Sequence, residues 1–424
     1  MLTALALLLL TVFAVVMGGP LRDLALLPWL ALGVVALGDL LLSRRGKQHF
    51  DHAIPAEIYV GEEVTLTLSA DRHYPGTSAR LDWPLGLSGP GDIRFAADDA
   101  GGMVAKVPCR ATRRGIWAFS HIWLQWPSRL KLFEFVPKVP LQAEVRVVPN
   151  IRLVRSGQIN TTVHSTLFGM KENRAVGEGS EFHQLRDFVQ GMDVKTIDWK
   201  RSARKRALVA KELRAERNHH VILAIDNGYL MREEIAGLPK IDHAVTAALA
   251  TAWAAALGGD LVGHYAFDVR PRSFARPEPG RTAFARLRSW AAELDYVSRE
   301  TNHTLAFTEL NARTPKRSLI IVFTDFIDTT SAELLIENLT ILSKRHLLIF
   351  VTLRDPELED LVSGAPHSMD GVATMVAANQ SVSERRLVLE RLARLGVSVV
   401  DAKPGQVTAR LISTYLEIKA KELI

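Results

Sequence analysis

The run His219-His220-Val221-Ile222-Leu223-Ala224-Ile225-Asp226 decides the fold of the second half of the chain. A continuous apolar run that ends in an acid is typical of a strand buried on both faces of a parallel sheet. The same pattern recurs at residues 261–268, 318–325, 346–352 and 396–401. Amphipathic stretches lie between these runs, at residues 241–257, 282–297, 332–343, 384–395 and 407–421. This alternation predicts a mostly parallel sheet with helices on both faces, the α/β doubly wound architecture.

Asp226 and Asp325 lie at the ends of predicted strands. Asp226 closes the first run and Asp325 closes the run at 318–325. In open α/β sheets, ligands bind beyond the carboxyl ends of the strands. We therefore treat Asp226 and Asp325 as candidate functional residues. A simpler interpretation is that they cap neighbouring helices, whose N-termini favour negative charge.

The first 42 residues are almost free of charge. Residues 1–17 carry no charged side chain, and residues 24–42 carry only Asp39. Spans of this length predict two transmembrane helices that form a hairpin over residues 1–42 in the lipid bilayer. A cleaved signal peptide is the competing interpretation, which the missing basic start disfavours. Arg44, Arg45 and Lys47 follow directly, so the positive-inside rule predicts that everything after residue 43, including the soluble domains, faces the cytoplasm.

In residues 50–150, apolar residues recur at a shorter spacing than in the amphipathic stretches of the second half. Val64-Thr65-Leu66-Thr67-Leu68 alternates apolar and polar positions, and similar short runs are separated by Pro, Gly and Asp turns. Such spacing predicts a small antiparallel β-sandwich. The polar stretch at 151–179 is predicted to be a linker, and residues 180–424 to hold the α/β domain. The chain is thus predicted to be multidomain.

Composition and motifs argue against an enzyme. The chain has 424 residues, a net charge of +6 and a single cysteine, Cys109, so it cannot form an internal disulfide or a cysteine metal cluster. It contains no phosphate-binding glycine loop, no dinucleotide fingerprint, no zinc-protease motif and no nucleophile elbow.

A dense polar block begins at the end of the predicted linker and opens the 180–424 unit, ahead of its first predicted strand. It runs from Gly177-Glu178-Gly179-Ser180-Glu181-Phe182 through Ile197-Asp198-Trp199-Lys200-Arg201 to Lys211-Glu212. Its mixed charges suit either an ion-pair network that braces the α/β domain or a docking surface for a partner. An excess of basic residues from 195 to 217 also leaves phosphate or nucleic-acid binding as an alternative. No nucleic-acid-binding motif accompanies these residues, so a nucleic-acid partner is not expected. The candidate docking or bracing residues are Glu181, Arg186, Asp193, Asp198, Trp199, Lys200 and Arg204.

The block, the strand ending at Asp226 and the run Ser318-Leu319-Ile320-Ile321-Val322-Phe323-Thr324-Asp325 together resemble domain-of-unknown-function family 58. The resemblance implies a bacterial protein that is anchored in the inner (cytoplasmic) membrane by two spans and carries a von Willebrand factor A-like domain. It also implies a role as an adaptor or scaffold that works with a MoxR-type AAA+ ATPase in assembling or activating a client complex.

The resemblance also implies a metal site, and the sequence departs from it. Von Willebrand A domains hold a divalent ion with a D-x-S-x-S loop, a threonine from a second loop and an aspartate from a third. Here Gly228 and Leu230 stand at the two serine positions, Asp325 matches the third loop, and the second loop falls near residues 301–304. We therefore expect no cofactor, or weakly bound Mg²⁺. The alternative function is a metal-dependent enzyme, such as a hydrolase, or a metal-mediated binding module that uses Asp226 and Asp325.

Overall fold

The computed structural model describes residues 11–12, 27–43, 50–70, 76–98, 102–157, 159, 181–214, 219–364 and 368–421. The chain divides into two compact units. The first comprises 1–58, 62–112 and 116–147, and the second comprises 59–61, 113–115 and 148–424. Most of the predicted linker at 151–179 lies outside the described residues, and so do residues 177–180 of the polar block.

The first unit contains two β-sheets built from short strands. One sheet has the order β1-β3-β8-β5, with β7 also paired to β8, and the other has the order β2-β11-β9-β4-β6, with β10 paired to β9. Burial alternates along β8, where Met103, Ala105, Val107 and Cys109 are buried, because successive side chains of a strand point to opposite faces. The strands are β1 (Phe50–Ala53), β2 (Glu57–Tyr59), β3 (Glu63–Ala70), β4 (Ser78–Leu81), β5 (Leu87–Ser88), β6 (Ile93–Arg94), β7 (Ala96–Ala97), β8 (Met103–Ala111), β9 (Gly115–Pro127), β10 (Glu134–Phe135) and β11 (Lys138–Val148).

The prediction of two N-terminal transmembrane helices was wrong. Within the described parts of the chain, no helix has the length and apolar character needed to cross a membrane. Helix α1 (Leu27–Ser43) has 17 residues, and strands follow it. Of the first predicted span, only Thr11 and Val12 lie within the described residues.

Asp39, the one charged residue of the second predicted span, is hydrogen-bonded to groups at the end of α1 and in the loop after β9. Its carboxylate accepts hydrogen bonds from the Ser43 hydroxyl at 3.1 Å and from the backbone N–H of Leu130 at 3.0 Å. Ser43 Oγ in turn accepts from the backbone N–H of Arg129 at 2.9 Å. The end of α1 is thus bonded to the loop that follows β9. A hydropathy profile does not predict these hydrogen bonds, because it depends only on the amino-acid composition of the segment.

The second unit is built on a six-stranded sheet of order β18-β17-β14-β19-β20-β21. Counted within this sheet, the order is 3-2-1-4-5-6, the doubly wound order that the strand–helix alternation predicts. All neighbouring strands are parallel except the edge strand β18, which runs antiparallel to β17. The strands are β14 (His220–Asp226), β17 (Leu261–Phe267), β18 (Pro271–Pro279), β19 (Leu319–Phe323), β20 (Leu347–Leu353) and β21 (Ser398–Ala402). A separate hairpin is formed by β15 (Glu234–Ile235) and β16 (Leu238–Pro239).

Helices cover both faces of this sheet. Val221, Leu223 and Ile225 of β14 pack into one apolar core, whereas Ile222 and Ala224 pack into the other, as the two-residue period of a strand requires. The first core includes α4, α5 and α10, and the second includes α6, α7 and α9. The helices are α2 (Arg152–Arg155), α3 (Trp199–Lys205), α4 (Lys240–Leu257), α5 (Gly280–Glu293), α6 (His303–Arg313), α7 (Thr329–Ser343), α8 (Pro356–Ser363), α9 (Met369–Arg394) and α10 (Pro404–Ala420).

The described part of the polar block forms a small element of its own, which we call the signature arm (residues 181–214). Strands β12 (Glu181–Asp187) and β13 (Val209–Arg214) pair antiparallel as a two-stranded sheet. Between them lie a 3₁₀ turn (Val194–Thr196) and the helix α3.

Candidate functional site at the carboxyl edge of the sheet

Asp226 and Asp325 lie at the carboxyl ends of two adjacent strands, where the strand order of the sheet reverses. Asp226 is the last residue of β14, and Asp325 follows β19 by two residues. β14 and β19 pair directly in parallel, with Ile225 opposite Phe323. Both carboxylates are buried. The structure thus brings the two sequence-predicted aspartates to the same edge, at the topological switch point.

The Asp226 carboxylate is held by neutral hydrogen-bond donors. Its Oδ1 accepts from the Thr301 hydroxyl at 2.6 Å and from the backbone N–H of Gly228 at 2.8 Å. Its Oδ2 accepts from the Thr324 hydroxyl at 2.5 Å. His303 Nε2 lies 3.7 Å from Oδ2 and 3.3 Å from Thr324 Oγ1. Both oxygens are therefore already used by the protein.

The Asp325 carboxylate, in contrast, is held by two cations. Its Oδ2 accepts from Lys240 Nζ at 2.6 Å, and its Oδ1 accepts from Arg385 at 3.0 Å and from the Thr352 hydroxyl at 3.0 Å. The backbone N–H of Phe326 also donates to Oδ1 at 3.0 Å. Burial alone would raise the pKa of Asp325, but the charges of Arg385 and Lys240 and these hydrogen bonds hold its pKa below the usual value. Asp325 is therefore an ionised, fully paired carboxylate.

A divalent metal does not fit this arrangement. In the described parts of the chain, no three His, Cys, Asp or Glu side chains are grouped so that they could hold a metal ion. The two serine positions of the loop are Gly228 and Leu230, which have no side-chain oxygen. A Cβ atom on Gly228 would lie 2.0 Å from Thr301 Oγ1, so the threonine hydroxyl occupies the space that a serine there would need. The carboxylates that would hold a hard cation are engaged by threonine hydroxyls, Lys240 and Arg385.

Two residues of this edge were missed by the sequence analysis: Lys240 opens α4, and Arg385 lies within α9. His303, which opens α6, falls within the predicted second loop at 301–304 but was not among the candidate site residues. Arg385 also donates to Thr352 Oγ1 at 2.6 Å and to the backbone carbonyl of Leu353 at 2.8 Å. A lysine or arginine on an amphipathic helix carries no signal that distinguishes it from a solvated surface residue. The predicted second loop was a better guide, since Thr301 does meet Asp226.

A groove opens at this edge of the sheet. It has a volume of about 700 Å³, with Asp226, Thr301 and His303 on its polar side and Phe326 and Leu334 among its apolar residues. The loop 299–304 and the first turn of α7 also line it. The groove has the position expected for a ligand site of an open α/β sheet.

The signature arm arranges the predicted docking or bracing residues in two ways. Asp193 and Asp198 act as local caps: the Asp193 carboxylate accepts from the backbone N–H of Lys195 at 2.9 Å, and that of Asp198 accepts from Arg201 at 3.1 Å. Asp198 also lies 3.6 Å from Lys211 Nζ. The backbone hydrogen bond from Arg201 is the main reason that the pKa of Asp198 is lowered. These contacts stabilise α3 and the arm itself.

The other predicted residues face outwards or lie on β12. Trp199 is 64% exposed on the first turn of α3, and Lys200 and Arg204 are exposed on the same helix. Arg186 is exposed near the end of β12, and Glu181 begins that strand. The structure thus gathers Trp199, Lys200 and Arg204 on one short helix, whose start is fixed by Asp198.

A family model matches part of the chain. Residues 184–383 match the family described as "Protein of unknown function DUF58", which confirms the resemblance seen in the sequence. No curated protein sequence matches the chain.

Solved structures show only distant likeness. The conserved hypothetical protein BatB from Bacteroides thetaiotaomicron is 14% identical, with 48% of this chain and 100% of that chain covered and a TM-score of 0.33. An aerotolerance-related membrane protein from Bacteroides fragilis NCTC 9343 is 13% identical, with 47% and 99% covered and a TM-score of 0.30. An uncharacterised membrane-spanning protein from Vibrio fischeri is 13% identical, with 48% and 99% covered and a TM-score of 0.17. The doubly wound fold is therefore assigned from the order of the strands in the sheet and not from these three structures.

Proposed function

We propose, from the membership of residues 184–383 in the DUF58 family, that the protein is a non-catalytic adaptor that works with a MoxR-type AAA+ ATPase on a client complex. The family resemblance suggests the partner, and the arrangement of charges at the carboxyl edge supports a role without catalysis. Asp226 and Asp325 are each engaged on both oxygens by protein donors, so neither is free to act as a base, a nucleophile or a metal ligand.

The observation that carries the proposal is the exposed face of the signature arm. Trp199 is largely exposed, and the apolar side chains of Val189, Val194 and Leu208 are exposed in the same arm. Tryptophan and arginine are enriched at the energetic centres of protein interfaces. An exposed tryptophan on a helix that also carries Lys200, Arg201, Arg204 and Lys205 therefore has the composition of a docking surface.

Co-purification with a MoxR-type ATPase tests the proposal. We expect the tagged full-length chain to retain a MoxR-type ATPase from the same cells, and Trp199→Ala to reduce the affinity for it by about 30-fold, which corresponds to a loss of about 2 kcal/mol for a central aromatic residue. Trp123→Ala is the matched control, because Trp123 is a partly exposed tryptophan in the other unit. Retention should be measured with ATP and with ADP, since such ATPases change conformation with the nucleotide. Absence of the ATPase under both conditions would refute the proposal.

Two further results test whether the signature arm is the surface that binds the ATPase. If the ATPase is retained equally by the wild type and by Trp199→Ala, the adaptor role stands and the signature arm is not its docking surface. If the Trp123→Ala control loses the ATPase to the same extent, the loss is not specific to the arm.

A further inference from the structure

We propose that Lys240, supported by Arg385, is a built-in replacement for a divalent cation at the carboxyl edge of the sheet, so that this edge is assembled without metal. The inference concerns the charges of the α/β unit and does not depend on the adaptor role. It follows from where the Lys240 ammonium lies, from what surrounds it and from what its removal would leave behind.

The Lys240 ammonium bridges two carboxylates. Its Nζ lies 2.6 Å from Asp325 Oδ2, and it also bonds to a carboxylate oxygen of Glu233. The backbone fixes this geometry, because the N–H of Lys240 donates to the carbonyl of Glu233 at 2.8 Å across the β15–β16 hairpin. Burial by itself would lower the pKa of Lys240, but Asp325 and Glu233 reverse this effect and raise it, so the side chain stays charged. A buried positive charge is thus held where two acids converge.

Arg385 supplies a second positive charge from the opposite side. It contacts Asp325 Oδ1 at 3.0 Å and Asp401 Oδ1 at 3.3 Å, and its guanidinium carbon lies 5.4 Å from the centre of the Phe326 ring. One arginine therefore connects α9 to the ends of β19, β20 and β21. A divalent ion that bound several carboxylates and hydroxyls would make the same kind of connection.

The two cations also exclude a metal. A divalent ion beside Asp325 would lie a few ångströms from both the ammonium and the guanidinium, and like charges repel strongly when they are buried. The oxygen that would complete such a site is missing at Gly228, where the Thr301 hydroxyl occupies the space. Removing only the ammonium would leave the Glu233 and Asp325 carboxylates facing each other across a gap, which is the oxygen environment that a hard cation prefers.

The test compares divalent-ion binding by the full-length wild type and by Lys240→Ala. Both proteins are stripped with EDTA, titrated with Mn²⁺ by electron paramagnetic resonance, and unfolded thermally with Mg²⁺ or with EDTA. We expect the wild type to show no metal-dependent rise in melting temperature. We expect Lys240→Ala to bind Mn²⁺ at least about 100-fold more tightly than the wild type and to be stabilised by Mg²⁺, because one of the two repelling charges is gone and the carboxylates of Glu233 and Asp325 remain.

Two controls make the response specific. Lys419→Ala removes another buried lysine, which lies 2.8 Å from Asp260 Oδ1 at the amino end of β17 and away from Asp325, so it should lose stability without gaining a metal response. In Lys240→Ala combined with Glu233→Gln, the acquired Mn²⁺ binding should disappear.

Each remaining outcome decides the question. Stoichiometric Mn²⁺ binding by the wild type that Mg²⁺ displaces would overturn the proposal, and so would a folded Lys240→Ala protein that binds Mn²⁺ no better than the wild type. If Lys240→Ala does not fold in EDTA, refolding in Mn²⁺ supports the proposal, and failure to refold in either solution counts against it.

Discussion

Replacing Gly228 with alanine is expected to break the hydrogen bond between Thr301 and Asp226. The backbone of Gly228 has φ −74° and ψ 177°, which any residue adopts, so the cost is steric and not conformational. The new Cβ atom would lie 2.0 Å from Thr301 Oγ1, and the backbone carbonyl of Arg299 and Asp226 Oδ1 are within 3.3 Å. Thr301 must therefore rotate its hydroxyl away from the buried carboxylate.

The magnitude follows from the bond that is lost. Thr301 donates to Asp226 Oδ1 at 2.6 Å, and a hydrogen bond to a charged group contributes about 1.5–3 kcal/mol. The loop cannot simply move aside, because the backbone N–H of Tyr229 donates to the carbonyl of Arg299 at 2.9 Å. We expect Gly228→Ala to lower the free energy of unfolding of this region by about 2 kcal/mol.

A double-mutant cycle isolates the mechanism. Thr301→Ala removes both the hydroxyl and the clash, so adding Gly228→Ala to it should cost almost nothing, which gives a coupling energy of about 2 kcal/mol. In a Thr301→Ser background the hydroxyl remains, and Gly228→Ala should keep its full cost. Gly405→Ala is the control for glycine replacement, because a Cβ atom there meets nothing within 4 Å.

Hydrogen exchange of peptides from β14, measured by mass spectrometry in each variant, reports the local free energy of opening. The reasoning is refuted if Gly228→Ala leaves the protection of β14 unchanged. It is also refuted if the costs of Gly228→Ala and Thr301→Ala simply add.

Three further predictions address buried charge and acid sensitivity. Arg385→Met should lower the free energy of unfolding in urea by about 3 kcal/mol, since it removes one partner of a buried ion pair, and stability equal to the wild type would contradict the assigned network. The pKa of Asp325 is lowered, so its ion pairs stabilise the fold above the ordinary carboxyl pKa of 3.8, and this stabilisation is lost as the pH falls through the folded-state pKa. In Lys240→Met, acid unfolding monitored by circular dichroism should therefore begin at a higher pH than in the wild type. Burial, aided by the charge of Arg286, lowers the pKa of His264 from 6.5 to about 4, so its contribution is complete above pH 6.5 and is lost as the pH falls towards 4. His264→Phe keeps a ring against Trp290, which now stacks on the imidazole at 4.0 Å, and should flatten the stability profile between these pH values without loss at pH 8; an unchanged profile would show that His264 does not titrate in this way.

The sequence predicted the parts of the fold that depend on neighbouring residues. The apolar runs ending at Asp226 and Asp325 gave the positions of β14 and β19, because burial on both faces demands uninterrupted apolar side chains. The loss of the two serine ligands at Gly228 and Leu230 was also visible in the sequence. The transmembrane prediction failed because hydropathy measures composition, whereas Asp39 and Ser43 near the end of α1 form hydrogen bonds with the backbone that follows β9.

The apolar runs of the chain predict a doubly wound sheet with Asp226 and Asp325 at its carboxyl edge, and the loop after Asp226 shows that both serine hydroxyls are absent. Which groups neutralise these carboxylates depends on the folded chain. Lys240 and Arg385 lie 85 and 60 residues from Asp325 along the chain, and each reaches it from a different helix. Hydrophobic periodicity depends on residues that are close in sequence. Contacts between charged residues that are far apart in sequence depend instead on strand order and on how the helices pack against the sheet. For that reason the cations that neutralise this edge became visible only when the chain was folded.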